Sequence, residues 1–344
     1  MASEAPNNTD GPPCPMEIPV SEVYFAGIST VELALVAVGG VVALANVIMF
    51  LETSWFIFQH SRSQKTMTLS IWMTGVHPVF SLAAVAAVCV PRCTILVDLM
   101  AATYLAFCVW NFIPMLMHYR GGEHALISHM SGETINLRSP PVACCCFCCP
   151  KIEVNKKNLL RIKMTVLQFA VFRPILVLLT AALWTDKKYI RGVMMPNQPF
   201  MYTNIMNGAS TLIAVYGSIL LFEATRKQLK AFNIIPKFIS LQVVLAISDL
   251  QTLVFDLLAS NQLPPCTDTL PSNARGDVWN HLILIVEMFL LALLSRHAYR
   301  RAEGSQVITD IYLEDKNNPK KNGNSSLNTD SNTVKDTSGG RSGD

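Results

Sequence analysis

Long apolar stretches alternate with short polar segments along most of this chain. Seven of these stretches are long and apolar enough to cross the hydrocarbon core of a bilayer as helices. They are Val31–Leu51, Leu69–Val90, Thr94–Met117, Met164–Trp184, Tyr202–Phe222, Phe238–Leu258 and Trp279–Ser295, of which the last is the shortest. The pattern therefore predicts an all-α membrane protein, with seven transmembrane helices in a domain of residues 31–295.

Polar segments lie at both ends of this transmembrane domain, and one long polar segment lies within it. Residues 1–30 form a polar, Pro-rich N-terminal region, which contains a glycosylation acceptor pattern at Asn7. Residues 296–344 form a tail, and from about residue 304 it has too few apolar residues to bury a core. We expect that part of the tail to be disordered. The longest internal polar segment, residues 118–163, separates the third helix from the fourth.

Lysine and arginine are distributed unequally between the two sides of this seven-helix arrangement. One side carries most of them, including those of residues 118–163 and of the tail. The other side carries only Arg92, Lys187, Lys188, Arg191 and Arg275. Because basic loops face the cytosol, this bias predicts an extracellular N-terminus and a cytosolic C-terminus. The acidic N-terminal region and the acceptor at Asn7 agree with that orientation.

The composition narrows the class of protein further. Of 344 residues, 51% are hydrophobic and only 15% are charged, and the mean hydropathy is +0.35. A soluble domain carries about 25% charged residues. The net charge of +3 is small and the basic residues lie near helix ends, which argues against a nucleic-acid partner. Motifs of nucleotide-binding loops, zinc proteases and nucleophile elbows are absent, so we expect no enzyme, cofactor or metal.

A dense run of cysteines lies between the third and fourth helices. Its members are Cys144, Cys145, Cys146, Cys148 and Cys149. Neighbouring cysteines cannot adopt disulfide geometry, and so short a run cannot easily wrap a tetrahedral metal. Basic residues flank the run and an apolar helix follows it, a setting typical of S-acylated cytosolic cysteines. We favour acylation over a reduced loop or a metal site, and expect the basic flank to attract anionic membrane lipids.

Three further cysteines, Cys14, Cys93 and Cys266, lie on the predicted outer side of the membrane. A disulfide can form there, but the spacing does not specify which of them would pair. Cys89 and Cys108 lie inside predicted helices and are expected to pack as small apolar residues.

Ionisable side chains inside hydrocarbon are costly, so those within the predicted helices are candidates for function. Arg173 and Glu287 lie at similar depths near mid-membrane, in the fourth and seventh helices, and are predicted to pair. In the sixth helix, Gln242, Asp249 and Asp256 follow one another at intervals of seven residues. That spacing places all three on one helical face, which should point away from lipid.

Two interpretations of these polar groups remain open. They can form an interior hydrogen-bond network without any substrate, or they can line a polar permeation route, which we favour. Glu32 and Asp98 lie within about one turn of the outer surface and are equally consistent with ordinary interfacial residues. The candidate set for either role is Arg173, Glu287, Asp249, Gln242, Gln251, Glu32 and Asp98.

Four stretches together resemble the alpha subunits of organic solute transporters. They are Val31–Leu35, the run Cys144–Pro150 with the basic residues after it, Phe238–Gln251 with its two glutamines, and His281–Glu287 with Arg296, Tyr299, Arg300 and Arg301 downstream. The likeness extends from about residue 28 to about residue 302. The Cys run is its most specific part, because apolar helices alone are common to many membrane proteins.

The resemblance implies a plasma-membrane protein, typically basolateral in epithelia, that is active only with a small single-span beta subunit. Together the two subunits carry bile acids, conjugated steroids and related amphipathic organic anions by facilitated diffusion. The charges of Arg173, Asp249 and Glu287 sum to a negative interior, which disfavours an anion. Either a carboxyl is protonated by burial, or the solute moves along the lipid-facing surface.

Two other classes of protein share a multi-span architecture. A seven-helix G-protein-coupled receptor is one, but His118-Tyr119-Arg120 matches its third-helix motif poorly, and the Asn-Pro element of its seventh helix is missing. A membrane trafficking or scaffold protein is the other. Solute uptake that does not depend on a G protein would distinguish a transporter from both.

Overall fold

The computed structural model describes most of the membrane domain of this chain. The described residues are 15, 18–61, 63–119, 134–137, 151–153, 155–189, 191–192, 195–226, 229 and 233–303. Their helices are α1 (Ser21–Gly27), α2 (Thr30–His60), α3 (Gln64–Thr74), α4 (Val76–Cys89), α5 (Thr94–His118), α6 (Lys156–Thr185), α7 (Pro199–Thr225), α8 (Ile234–Ser260) and α9 (Ser272–Glu303). Two short strands, β1 (Thr134–Asn136) and β2 (Lys151–Glu153), pair antiparallel.

The prediction of seven transmembrane helices is confirmed. Helices α2 and α6 to α9 each contain one span, α3 with α4 forms the second, and α5 with the short 3₁₀ turn Pro91–Cys93 before it forms the third. The spans are 26 to 31 residues long, and the seventh ends at Arg301. Most of them begin and end beyond the apolar stretches of the sequence, because polar residues at both ends continue the helix past the hydrocarbon. The orientation of the termini stays a prediction.

The second span is interrupted at Gly75, between α3 and α4. The Gly75 amide still donates to the carbonyl of Ile71, at 3.0 Å, so the helical hydrogen bonding continues through the interruption. A side chain at this position would meet the hydroxyl of Tyr104, which donates a 2.9 Å hydrogen bond to the carbonyl of Trp72. A glycine is therefore needed at this crossing of the second and third spans.

Six helices form a ring in which each packs against the next. The order is α4, α5, α6, α7, α8 and α9, and α9 closes the ring by packing against α4. Helix α2 lies outside this ring, against α9 and α4, and its outward face is strongly apolar. Val31 and Val41, for example, are 71% and 69% exposed, which suits a helix that faces lipid. The ring encloses the polar side chains described below.

The two strands lie within the segment of residues 118–163. Ile135 and Ile152 are register partners, and Ile135 is buried against the main core. The hydroxyl of Tyr216 on α7 donates to the carbonyl of Leu137, at 2.9 Å, which ties this small ladder to the bundle. The five-cysteine run, Asn7 and the tail from residue 304 lie outside the described residues.

Close packing between α6 and α7 gives a test of the fold. A methyl group at Gly217 would meet the side chain of Thr165, and its Cβ would lie 3.1 Å from Cγ2 of Val166, whereas Gly208 on the same helix has open space around it. We expect Gly217→Ala to destabilise the protein by roughly 1–3 kcal/mol through overpacking. Gly208→Ala is the matched control and should be neutral or stabilising, because alanine favours helix. Equal thermal stability of the two variants in detergent would contradict the packing.

Candidate functional site

A polar cavity lies inside the ring of six helices. Its volume is about 170 Å³, taken as the space open to the centres of water-sized molecules. One water needs only about 10–15 Å³ of such space, so the cavity has room for several. Its lining combines apolar groups with five charged side chains, which are Asp98, Arg173, Arg191, Asp249 and Asp256. Charged groups inside a membrane domain are costly, which makes this cavity the candidate functional site.

Arg173 and Asp249 form an ion pair in the wall of the cavity. Arg173 lies on α6 and is only 8% exposed. Its Nη2 lies 2.8 Å from Oδ1 of Asp249, and its Nη1 lies 3.1 Å from Oδ2, so the pair is bidentate. The ring of Phe169, one turn earlier on α6, lies 5.6 Å from the guanidinium carbon. A bidentate pair fixes both side chains in position as well as neutralising their charges.

Helix α7 supplies the remaining partners of this ion pair. The side-chain Oδ1 of Asn207 accepts a short hydrogen bond from Nη1 of Arg173, and the side-chain Nδ2 of Asn207 donates to Asp249 at 3.3 Å. The hydroxyl of Thr211 donates a second short bond to Asp249. Buried ion pairs are tolerated only when such additional hydrogen bonds replace water. The network therefore ties α6, α7 and α8 together at this depth.

The predicted pairing of Arg173 with Glu287 is wrong, because Arg173 pairs with Asp249 instead. Glu287 is half-buried on α9, and its Oε2 has no hydrogen-bond partner among the described residues. Helix α6 packs mainly against α5 and α7, whereas α9 packs against α2, α4 and α8. Equal depth therefore did not bring the two side chains together. The ion pair leaves the middle of the cavity neutral, and Glu287 is not among the lining residues.

The polar face predicted for the sixth span is confirmed. Gln242 donates a short hydrogen bond to Ser218 on α7, Asp249 holds Arg173, and Asp256 is only 4% exposed. Gln251, two residues after Asp249, is on another side of α8 but is also half-buried, and its side-chain amide donates to the backbone carbonyl of Asn280 on α9, at 3.1 Å. Helix α8 therefore turns its amides and carboxylates away from lipid.

A second charged cluster lies at one end of the cavity, at the loop between α6 and α7. We call this the outer end, after the orientation predicted from the sequence. Arg191 of that loop lies 2.5 Å from Asp98 of α5, 3.3 Å from Asp277 of α9 and 3.8 Å from Asp256 of α8. Its side chain is 12% exposed. One guanidinium therefore holds three helices together around the mouth of the cavity.

Charge balance at the outer end depends on Arg191 and its neighbours. Burial alone lowers the pKa of Arg191, but the carboxylates of Asp277, Asp98 and Asp256 outweigh it and raise that pKa well above its usual value. Arg191 therefore remains a cation at any physiological pH. Nε2 of His281 lies 2.9 Å from the other oxygen of Asp98. Three carboxylates thus share one guanidinium and one imidazole.

The sequence did not identify Arg191, Asp277 or His281 as site residues. Arg191 follows two exposed lysines in a loop, where a basic residue is usually solvated. Asp277 precedes the predicted seventh helix, although its spacing of four from His281 places both on one helical face. If the seventh helix had been predicted to begin one turn earlier, this spacing would have identified Asp277 and His281 as neighbours. Nδ1 of His281 indeed lies 2.6 Å from the carbonyl of Asp277.

Glu32 lies outside the cavity and has a structural role. Its amide donates to the hydroxyl of Ser29 and its carboxylate accepts from the amide of Ser29, which together cap α2. Its other carboxylate oxygen lies 3.1 Å from Nη2 of Arg275 on α9. Burial, aided by the charge of Glu32, raises the pKa of nearby Tyr24 to about 12, so this phenol stays neutral.

The described part of the chain contains four cysteines outside the five-cysteine run, and only one of them is oxidised. Cys266 is disulfide-bonded, whereas Cys89, Cys93 and Cys108 have free thiols. Within the same residues, no group of three or more His, Cys, Asp or Glu side chains is arranged to hold a metal ion.

Comparison with known proteins places the chain among solute transporters. A family model described as Organic solute transporter Ostalpha matches residues 35–303. The chain is 30% identical to organic solute transporter subunit alpha of Danio rerio, over 84% of this chain and 89% of that protein. It is 26% identical to the Homo sapiens subunit alpha, over 84% and 85%, and 24% identical to organic solute transporter alpha-like protein 2 of Caenorhabditis elegans, over 81% of each. No solved structure matches the chain.

The Arg191 cluster predicts a specific pattern of stability. Arg191→Gln leaves three carboxylates facing one another and should destabilise the protein by roughly 3–5 kcal/mol. Adding Asp256→Asn to that variant removes one of these charges and should restore part of the loss. Lys188→Gln is the control, because Lys188 pairs with exposed Asp186 at the surface, and such a pair should contribute less than about 1 kcal/mol. Thermal unfolding in detergent measures all three. A double variant less stable than Arg191→Gln would contradict the account.

Proposed function

This chain belongs to the organic solute transporter alpha family, and on that premise we propose that it carries amphipathic organic anions across the plasma membrane. Bile acids and conjugated steroids are the proposed solutes, and facilitated diffusion is the proposed mode. The observation that supports the proposal best is the polar cavity inside the ring of six helices. Its guanidinium at Arg173 offers a fixed positive group to an anion.

The lining of the cavity suits a solute with one charged and one apolar part. Apolar side chains from several helices lie beside the charged ones; they include Phe80, Leu99, Leu176, Ile247 and Leu284. Pockets that bind small molecules commonly combine apolar walls with a few polar groups that fix orientation. A steroid nucleus can contact such walls while its carboxylate or sulfate is held by a charged group. A cavity of about 170 Å³ is small for a steroid, so transport requires the ring of six helices to widen.

We propose that a single-span beta subunit completes the transporter. The Danio rerio and Homo sapiens relatives are each named subunit alpha, which is the name of one part of a larger assembly. We further propose that the complex lies in the plasma membrane, basolateral in epithelia, with the N-terminus outside. The excess of lysine and arginine on the opposite side supports this orientation. No contact in the cavity specifically favours a receptor or a scaffold.

Uptake in a host that lacks both subunits tests this function. The chain expressed together with a beta subunit should take up a labelled bile acid or sulfated steroid, and either chain alone should not. Uptake should reach, but not exceed, the external concentration, because facilitated diffusion does not concentrate its solute. Full uptake by this chain alone would refute the dependence on a partner. Failure of the complex to take up any of these solutes, despite its presence at the cell surface, would refute the function itself.

Acylation of the five-cysteine run remains a prediction, and it has a direct test. Each acyl CH₂ buried in the bilayer contributes about 0.8 kcal/mol, so two or more chains would hold this loop firmly at the inner leaflet. Replacing Cys144, Cys145, Cys146, Cys148 and Cys149 by serine should abolish hydroxylamine-sensitive lipid labelling, while Cys89, Cys93 and Cys108 are retained. Labelling that persists unchanged in this variant would contradict the prediction.

A further inference from the structure

The guanidinium of Arg173 does not use all of its hydrogen-bond donors. A guanidinium has five N–H groups. Both N–H groups of Nη1 are used, one by Asn207 and one by Asp249, and one N–H group of Nη2 is used by Asp249. The Nε–H group and the second N–H of Nη2 have no acceptor among the described residues. These two donors are parallel and form one complete edge of the planar group.

This unused edge belongs to a side chain that lines the cavity. Asp249 occupies the edge formed by Nη1 and Nη2, and the ring of Phe169 covers a face of the guanidinium. The remaining edge has the spacing of the two oxygens of a carboxylate or a sulfate, which bind arginine through two parallel hydrogen bonds. A second anion can therefore bind Arg173 while Asp249 keeps its place.

The surroundings of Arg173 fit the rest of an amphipathic anion. Leu176 and Val177 follow Arg173 by three and four residues, so they lie on the same face of α6, and both line the cavity. Carboxylates outnumber the single guanidinium at the outer end of the cavity, where they repel an anionic group. Arg173 is twelve residues before the end of α6 at Thr185, or roughly 18 Å along the helix. An anionic group is therefore most favourably placed at Arg173.

We propose that the Nε–Nη2 edge of Arg173 binds the carboxylate or sulfate group of the transported solute, with Asp249 as a permanent counterion that limits its affinity. The proposal rests on the transport function proposed above. Asp249 keeps the hydrogen bonds from Asn207 and Thr211, so it need not leave when a solute binds. Two carboxylates then share one guanidinium, which weakens the bond to the solute and allows release.

This arrangement predicts that two substitutions at one ion pair have opposite effects on affinity. Asp249→Asn removes the competing negative charge, so the half-saturating concentration for a sulfated steroid should fall about fivefold or more, and the maximal rate should fall because release is slower. Arg173→Lys keeps the charge that pairs with Asp249 but removes the bidentate edge. The half-saturating concentration should then rise about tenfold, which corresponds to the loss of one charge-assisted hydrogen bond.

The experiment measures initial uptake by the complete complex with its beta subunit, corrected for surface level by biotinylation. Each variant is tested with a sulfated steroid and with its unconjugated parent, which has no group for the free edge. Arg161→Lys is the matched control: it makes the same exchange on the same helix, but Arg161 is exposed and does not line the cavity. It should change the half-saturating concentration less than about twofold.

The outcomes separate this inference from the function on which it rests. If the unmodified complex takes up neither steroid, the proposed transport function fails. If it takes up the sulfated steroid, but Asp249→Asn raises or leaves unchanged the half-saturating concentration, the anion site at Arg173 is refuted. Equal effects on the sulfated and unconjugated steroids would also refute it. If one of the two variants does not reach the cell surface, the other decides alone: an unchanged half-saturating concentration of the sulfated steroid in Arg173→Lys refutes the site in the same way.

Discussion

Arg173 carries a guanidinium into the middle of a membrane domain, and Asp249 holds it there through two parallel hydrogen bonds. An uncompensated charge at this depth is costly, so the pair requires the further bonds from Asn207 and Thr211. Because these partners come from α7 and α8, satisfying one arginine fixes the relative positions of three helices. The polar cavity follows from this arrangement, since the side chains that solvate the pair cannot also face lipid.

Charged groups join the helices at other levels of the bundle as well. At the outer end, Arg191 joins α5, α8 and α9 through three aspartates. Near the opposite end, the ammonium group of Lys237 on α8 lies 4.7 Å from the ring centre of Tyr119, directly after α5, and 4.4 Å from that of Tyr299, four residues before the end of α9. Lipid gives little hydrophobic drive for helix association, so packing and polar contacts of this kind must supply it. The same groups exclude helix arrangements in which a charge would face hydrocarbon.

The sequence predicts the spans and the polar face of α8 well, because both follow from periodicity along a single helix. The partner of Arg173 could not be predicted in the same way. The sequence gives the depth of a residue within its span, and by that measure Glu287 matches Arg173. It does not give the order of the helices around the ring, and that order places Asp249 beside Arg173 instead. Arg191 was missed for a related reason: a loop residue has no helical face, and its burial depends on three other helices.

The central claim is that solute moves through the cavity inside the ring of helices and not along the lipid-facing surface. Thr180 and Leu178 are neighbours on α6; Thr180 lines the cavity, whereas Leu178 is 70% exposed on the outside of the bundle. Each is replaced by cysteine, and reaction with a charged, membrane-impermeant thiol reagent is measured in the complete complex, against the unsubstituted protein. The account predicts that Thr180→Cys reacts, that a sulfated steroid slows this reaction, and that Leu178→Cys is unreactive. Protection by the steroid at Leu178→Cys, with none at Thr180→Cys, would contradict it.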